Sequence, residues 1–387
     1  MYKHHYSHFF KHNPGKLHFT AHSHHPWPDV TREAHLRYWE DSAAQTDQKW
    51  DKIFGEVVPE AQKHLARVLK LPVPEQICFA PNTLEFVYRL LSCFEPGQKL
   101  RILTSDCEFH SFARQSRRLE ELENVYVERV AVEPFDTFEQ RLLAELNRSE
   151  FDLIFLSHVF FVNGFALTDL QTLVDAVKNP RTLIAIDGYH AFMALPVDLG
   201  PVASRIFYLG GGYKYAQSGE GCCFMWVPPH SEQRPLFTGW FADFANLESL
   251  QNVASKVGYG AAGARFWGAT FDASGLYRLN AVMRWLSELG LSPAKIHDYV
   301  LGLQACFLEH LRDSKHPDLR DEKLLLRNPA WHGHFFTFRA DDAGDLSTKL
   351  SALGISTDYR GPNLRFGFGL HQDRSDITDL FQRISGL

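Results

Sequence analysis

The sequence predicts an α/β protein, a mostly parallel sheet covered by helices, with a smaller α+β C-terminal domain after it. Strand-like and helix-like patterns alternate from Ile77 to Ile186, the sign of a parallel sheet with crossover helices. Two later apolar runs, Leu183 to Ile186 and Arg205 to Leu209, end in reactive polar residues: Asp187 with His190, then Tyr213 with Lys214. The alternation stops after Val227-Pro228-Pro229, and the remainder of the chain reads as loops, helices and scattered strands.

Taken in order, Pro26 and Pro28 end any regular structure and leave Asp29 placed to cap a helix running to about Trp50. A second helix starts after Pro59, with Ala61, Leu65, Val68 and Leu69 at helical spacing, and stops at Leu71-Pro72-Val73-Pro74. Ile77 to Ala80 then leads through Asn82-Thr83 into a helix, and Leu100 to Thr104 leads into one starting near Ser111. Strands at Val125 to Val132 and Leu153 to Leu156 alternate with helices around Phe138 to Leu146 and Leu170 to Val177. Beyond the sheet, helices are expected over Leu276 to Leu291, Ile296 to Leu311 and Ala343 to Leu353, with strands at His334 to Arg339 and Leu364 to Phe368. The expected division is an N-terminal segment 1–55, a large domain 56–275 and a small domain 276–387.

Composition narrows the function classes. The chain has 387 residues, 45% hydrophobic and 22% charged, enough for a sizeable core and ordinary for a globular protein. A net charge of -6 gives no global attraction to nucleic acid or an anionic membrane. No run approaches a membrane span, and MYKHHYSHFFKHNPGK lacks the apolar core of a signal peptide, so a cytoplasmic protein is expected. The six cysteines show no CxxC pair or zinc spacing. Eight histidines fall in the first 25 residues without a regular ligand pattern; no metal is expected, and a mobile or partly solvated terminus is the simpler account.

In open sheets of this kind ligands bind beyond the carboxyl ends of the strands. Asn82-Thr83, Phe109-His110-Ser111, Asp187 and Lys214 all fall at such ends. A lysine after three glycines suggests an amine held close to a ligand, and the aspartate a fixed negative charge nearby. Together they propose a Schiff-base lysine and the partner of a pyridinium nitrogen, hence pyridoxal phosphate.

Those residues, with Gly239-Trp240-Phe241, Leu364-Arg365-Phe366 and Phe19-Thr20-Ala21-His22-Ser23, resemble the fold-type I pyridoxal-phosphate enzymes of the class V aminotransferase group, and within it kynureninase. The resemblance implies a homodimer with active sites at its interface. It implies Lys214 as the cofactor-linked base, Asp187 on the ring nitrogen, His190 as an orienting residue and Phe109 stacked on the ring, with His110 a neighbouring candidate. Asn82, Thr83, Ser111 and Tyr213 would serve the cofactor, the first two at a helix N-terminus suited to its phosphate. Tyr213 would also donate a proton. Trp240 and Thr270 would reach the partner's cofactor. Arg365 would grip a substrate carboxylate, with Ser23, His22 and Thr46 as further substrate-pocket candidates. The implied reaction is hydrolytic Cβ–Cγ cleavage of a kynurenine-like amino acid to a carboxylic acid and alanine.

The chain departs from that pattern at Phe112, where kynureninases carry an acidic residue, and at Ala21-His22-Ser23. The alternatives are a class V aminotransferase, a related lyase for another amino acid, or a non-catalytic binder. A cysteine desulfurase is disfavoured because no cysteine follows Cys306 to carry a persulfide.

Overall fold

The computed structural model describes residues 2–251, 256–314 and 316–385, without the side chains of 245 and 247–251. Its strands β1 (Ile77–Ala80), β2 (Leu100–Ser105), β3 (Val125–Val130), β4 (Leu153–Ser157), β5 (Leu183–Asp187), β6 (Ile206–Gly211) and β7 (Cys223–Trp226) form one sheet in the order β1-β7-β6-β5-β4-β2-β3. Strands β6, β5, β4, β2 and β3 pair in parallel, and β7 runs antiparallel to both β6 and β1. Strands β4 and β5 are buried at every residue, as strands covered on both faces must be. That burial explains their continuous apolar character. The carboxyl ends of β1, β2, β4, β5 and β6 therefore share one edge, where Asn82, Phe109, Asp187 and Lys214 emerge.

Helices fill the crossovers: Thr83–Leu91, His110–Leu119, Phe138–Arg148 and Leu170–Ala176. Their ends agree with the sequence pattern to within a few residues. Thr83–Leu91 is capped by Asn82, whose side chain accepts the Glu85 N–H. Asp29 does not cap the helix directly after it, Val30–Gln45. Its carboxylate instead accepts the Ser7 and His8 backbone N–H groups and the Ser7 hydroxyl, closing the start of the short helix Ser7–His12. The expected continuation to Trp50 is interrupted at Thr46, whose φ of 49° ends Val30–Gln45.

The N-terminal segment is packed in part and solvated in part, with His4, His8, His12 and His24 exposed. Tyr6, Phe19, Ala21, His22 and His25 are buried, and the Tyr6 hydroxyl donates to Gln217 Oε1 at 2.5 Å. Leu17–His18 pairs in parallel with Ile355–Ser356. Leu17 and Phe19 join a second core made by Val300, Leu303, Phe307, Phe336, Phe338, Leu364 and Phe366, beside the antiparallel strands β8 (Phe335–Arg339), β9 (Asp358–Arg360) and β10 (Asn363–Gly367). Helix Ser274–Glu288 buries Leu276, Leu279, Val282 and Met283 in the larger core, so the expected 275/276 boundary falls ahead of a helix whose apolar face belongs to the sheet domain. Apart from Leu17 and Phe19, the second core gathers from Val300 onward.

Candidate active site

Lys214 stands three residues beyond β6 and is 4% exposed. The approach to it is tight. A Cβ on Gly210 would meet the Phe224 ring, one on Gly211 the Tyr189 ring, and one on Gly212 the Ser218 hydroxyl, each at under 3 Å. Three glycines here let neighbouring side chains close against the strand end.

The Lys214 Nζ lies 3.0 Å from His190 Nε2 and faces the rings of Tyr189, Phe109 and Tyr213 at 4.8, 5.3 and 5.5 Å. Burial lowers its pKa to about 7, the nearby Asp187 opposing the shift and Arg365 adding to it. Near neutral pH a large share of the amine is therefore uncharged and nucleophilic. Burial, with Lys214 and Arg365 near, holds His190 neutral, so its free ring nitrogen accepts from Lys214. His190 also meets the His22 backbone.

Asp187 is 8% exposed. Its Oδ1 accepts the Tyr189 N–H at 3.0 Å, and no other described residue donates to the carboxylate. Burial raises its pKa, while the Tyr189 bond and Lys214 pull it down. Behind it, the His158 backbone N–H donates to the Asp187 carbonyl, and His158 Nδ1 meets the Tyr208 hydroxyl at 3.0 Å. Gly188 is dictated by that arrangement, because a Cβ there would sit 2.1 Å from the Tyr208 ring.

A buried acid missing from the sequence prediction lies next to Phe109. Glu108 accepts the hydroxyls of Ser105, at 2.7 Å, and Ser157, at 2.6 Å, tying the ends of β2 and β4 together. Burial raises its pKa to about 8. Phe109 and His110 both pack edge-on against Phe161, at 5.3 and 4.9 Å. Ser111 lies in the first turn of His110–Leu119. Phe112 is buried in the core, stacked 3.7 Å from Phe155.

At the start of Thr83–Leu91, Asn82 is exposed and the Thr83 N–H faces the Cys223 thiol, which donates to the Tyr189 hydroxyl at 3.4 Å. Burial pushes that thiol up to about 12. Tyr213 stacks on His24 at 5.1 Å, and its carbonyl accepts the His25 N–H.

Arg365, 2% exposed, is held by Asp358 through Nε at 2.9 Å and Nη2 at 2.5 Å, and its Nη1 donates to the Phe161 carbonyl. His22 Nε2 lies 2.8 Å from Asp358 Oδ1, so of the N-terminal candidates the fold brings His22 to Arg365. Ser23 bonds only its own vicinity, with Oγ 3.4 Å from His24 Nδ1. Thr46 stays at its helix end. Trp240 and Thr270 make no hydrogen bond or ring contact with Lys214, Asp187 or Phe109 within this chain; Trp240 is 40% exposed and stacks on Phe241 at 4.1 Å. Their loops do meet each other, because the Phe241 N–H donates to the Gly268 carbonyl.

A buried amine of pKa about 7, a buried carboxylate with an undonated oxygen, a phenylalanine face and a helix N-terminus share this edge. That donor set fits pyridoxal phosphate.

The class-V aminotransferase family model matches residues 21–358. The chain belongs to that family. It is accordingly a pyridoxal-phosphate-dependent enzyme of fold-type I. Similar solved structures include a cysteine desulfurase from Thermococcus onnurineus NA1, 16% identical with a TM-score of 0.76 over 96% of this chain and 94% of that one. A cystine C–S lyase in complex with cysteine persulfide is 16% identical, with a TM-score of 0.80 over 97% and 99%. The Escherichia coli cysteine desulfurase CsdA is 17% identical, with a TM-score of 0.75 over 98% of each chain. A comparison with curated protein sequences gave no match. Among the described residues no helix is long and apolar enough to cross a membrane.

Proposed function

We propose that this class-V enzyme is a lyase that binds a free α-amino acid and breaks a bond in its side chain. The observation carrying the reading is the buried Lys214 amine, its pKa lowered toward neutrality, held by His190 within the electrostatic reach of both Asp187 and Arg365. Pyridoxal phosphate supplies an aldehyde and a ring that accepts electrons from the substrate α-carbon. Lys214 Nζ takes the α-proton and returns it. Asp187 would hold a negative charge for the ring nitrogen, Phe109 would offer a flat face to the ring, and the N-terminus of Thr83–Leu91, together with Asn82, Thr83, Ser111 and Tyr213, would hold the phosphate. Arg365 receives the substrate carboxylate.

Side-chain cleavage is favoured over transamination by analogy with the C–S lyase and desulfurase neighbours. Persulfide carriage by a cysteine is not part of the proposal, because Cys223 is 2% exposed and poorly ionised. Within the lyase reading, a kynurenine-like substrate is favoured by the aromatic wall of Phe109, His110, Phe161 and Phe335 around Lys214 and Arg365. We further propose a homodimer. The exposed Leu236, Phe237, Trp240 and Phe244 form an apolar stretch beside the Gly239 and Gly268 loops, and in the dimer Trp240 and Thr270 would serve the partner's site.

The test is to incubate the holoenzyme with kynurenine, 3-hydroxykynurenine and cystine. Anthranilate products with alanine support the kynurenine reading; pyruvate and ammonia from cystine support the wider lyase. Amino transfer to a 2-oxo acid with neither product overturns the lyase assignment.

A further inference from the structure

Arg365 and Asp358 face each other in register across the antiparallel pair β10 and β9. Asp358 takes the guanidinium side-on, along its Nε and Nη2 edge, while the Phe161 carbonyl takes one Nη1 proton. A guanidinium has five protons in one plane, so one on each terminal nitrogen is left over. Asp358 is itself pinned. His22, fully buried, meets the same Oδ1 that accepts the Arg365 Nε proton and stacks at 4.6 Å on Phe335, the ring that also faces Arg365 at 5.8 Å. Arg360 is a more distant cation on the same carboxylate, at 3.7 Å. The His22 backbone continues to His190, which holds Lys214.

We propose that Asp358, fixed by His22, is the positioning residue that turns the free protons of Arg365 toward the carboxylate of an amino-acid substrate bound at Lys214. The inference rests on Arg365 being that carboxylate's partner, as proposed above. A planar fork gains its selectivity from orientation, and a long side chain on a strand has no fixed orientation of its own. Asp358, His22 and the Phe161 carbonyl supply it from three separate parts of the chain.

The experiment titrates the holoenzyme with L-alanine and with ethylamine, the same amine without a carboxylate, following the visible absorbance of the bound cofactor. Asp358→Asn keeps the shape and removes the charge. It should raise the alanine Kd about 10-fold, the scale of one charged hydrogen bond lost, and leave the ethylamine Kd unchanged. Equal weakening of both ligands, or no change for alanine, overturns the proposal. Arg365→Leu separates the two layers of inference: if it leaves alanine binding intact, the arginine assignment itself fails; if it abolishes the alanine preference while Asp358→Asn retains it, only the role of Asp358 fails. Should Asp358→Asn not fold, His22→Phe keeps the stack on Phe335 and removes the imidazole donor. Selective loss of alanine binding then supports the proposal, and unselective or absent loss overturns it.

Discussion

The lysine edge and the arginine corner solve opposite problems with buried charge. At Lys214 the chain leaves a cation without a bonded counter-ion, and burial drives it toward neutrality at about 7. At Arg365 the charge is kept, paired with Asp358 on the adjacent strand; against the pull of burial, the His22 ring and the Arg365 guanidinium hold that carboxylate well below its ordinary range. Each environment matches the task proposed for its group. A nucleophile must be able to shed its proton, so its surroundings are desolvating; an anion receptor must stay charged, so its surroundings are compensating.

Four measurements bear on that contrast. The largest effect is expected for Lys214→Ala, which should lower turnover on the order of 10³-fold or more yet leave thermal stability equal or higher, since a desolvated amine is removed; a large drop in Tm would show the lysine to be structural. Asp358→Ala should do the reverse to the fold, costing about 3 kcal/mol in chemical denaturation by stranding a buried guanidinium. A loss near zero would mean the corner is not compensated as described.

Glu108 offers a pH test. Its folded pKa of about 8 lies above the ordinary 4.5, so the folded state binds the extra proton and its stabilising share is present at low pH, declining as pH rises from about 4.5 to about 8. Glu108→Gln should therefore flatten the fall of unfolding free energy across that window. An unchanged slope would mean the acid is ionised in the fold. Smallest is Asn82→Ala, expected to cost about 1 kcal/mol through loss of the helix cap, and checked by thermal unfolding of the cofactor-free protein.

The two regions also differ in how far the sequence reveals them. Asp187 and Lys214 lie on or just beyond strands that are consecutive in the chain and adjacent in the sheet, so the order of residues and the order in space coincide. The strands of the large domain are legible for the same reason. The arginine corner joins His22, Phe161, Asp358 and Arg365, and no local pattern links position 22 to position 358. Asp358 sits on a three-residue strand, too short to carry a periodic signal. Glu108 is visible in the sequence only as part of a Glu-x-His-Ser string; its partners Ser105 and Ser157 end different strands. Proximity along the chain assigns Asp29 to the nearer helix, whereas the fold brings Ser7 and His8 back to claim it. Phe112 draws attention in the sequence because it stands where the resembled family carries an acidic residue, and the fold stacks it on Phe155 in the core.

The pairing of the first residues with the last has a consequence for how the enzyme is made. Leu17 and His18 find their strand partners at Ile355 and Ser356, Thr20 bridges to Gly367, and the His18 carbonyl accepts from His371 and Gln372. During synthesis Leu17 and His18 leave the ribosome more than three hundred residues ahead of Ile355 and Ser356, so this pairing must wait for that whole stretch. His22 reaches Asp358 only then. The sheet with Lys214 is complete long before, so the nascent chain passes through a stage that has the proposed nucleophile and lacks the arginine corner proposed to receive the substrate carboxylate.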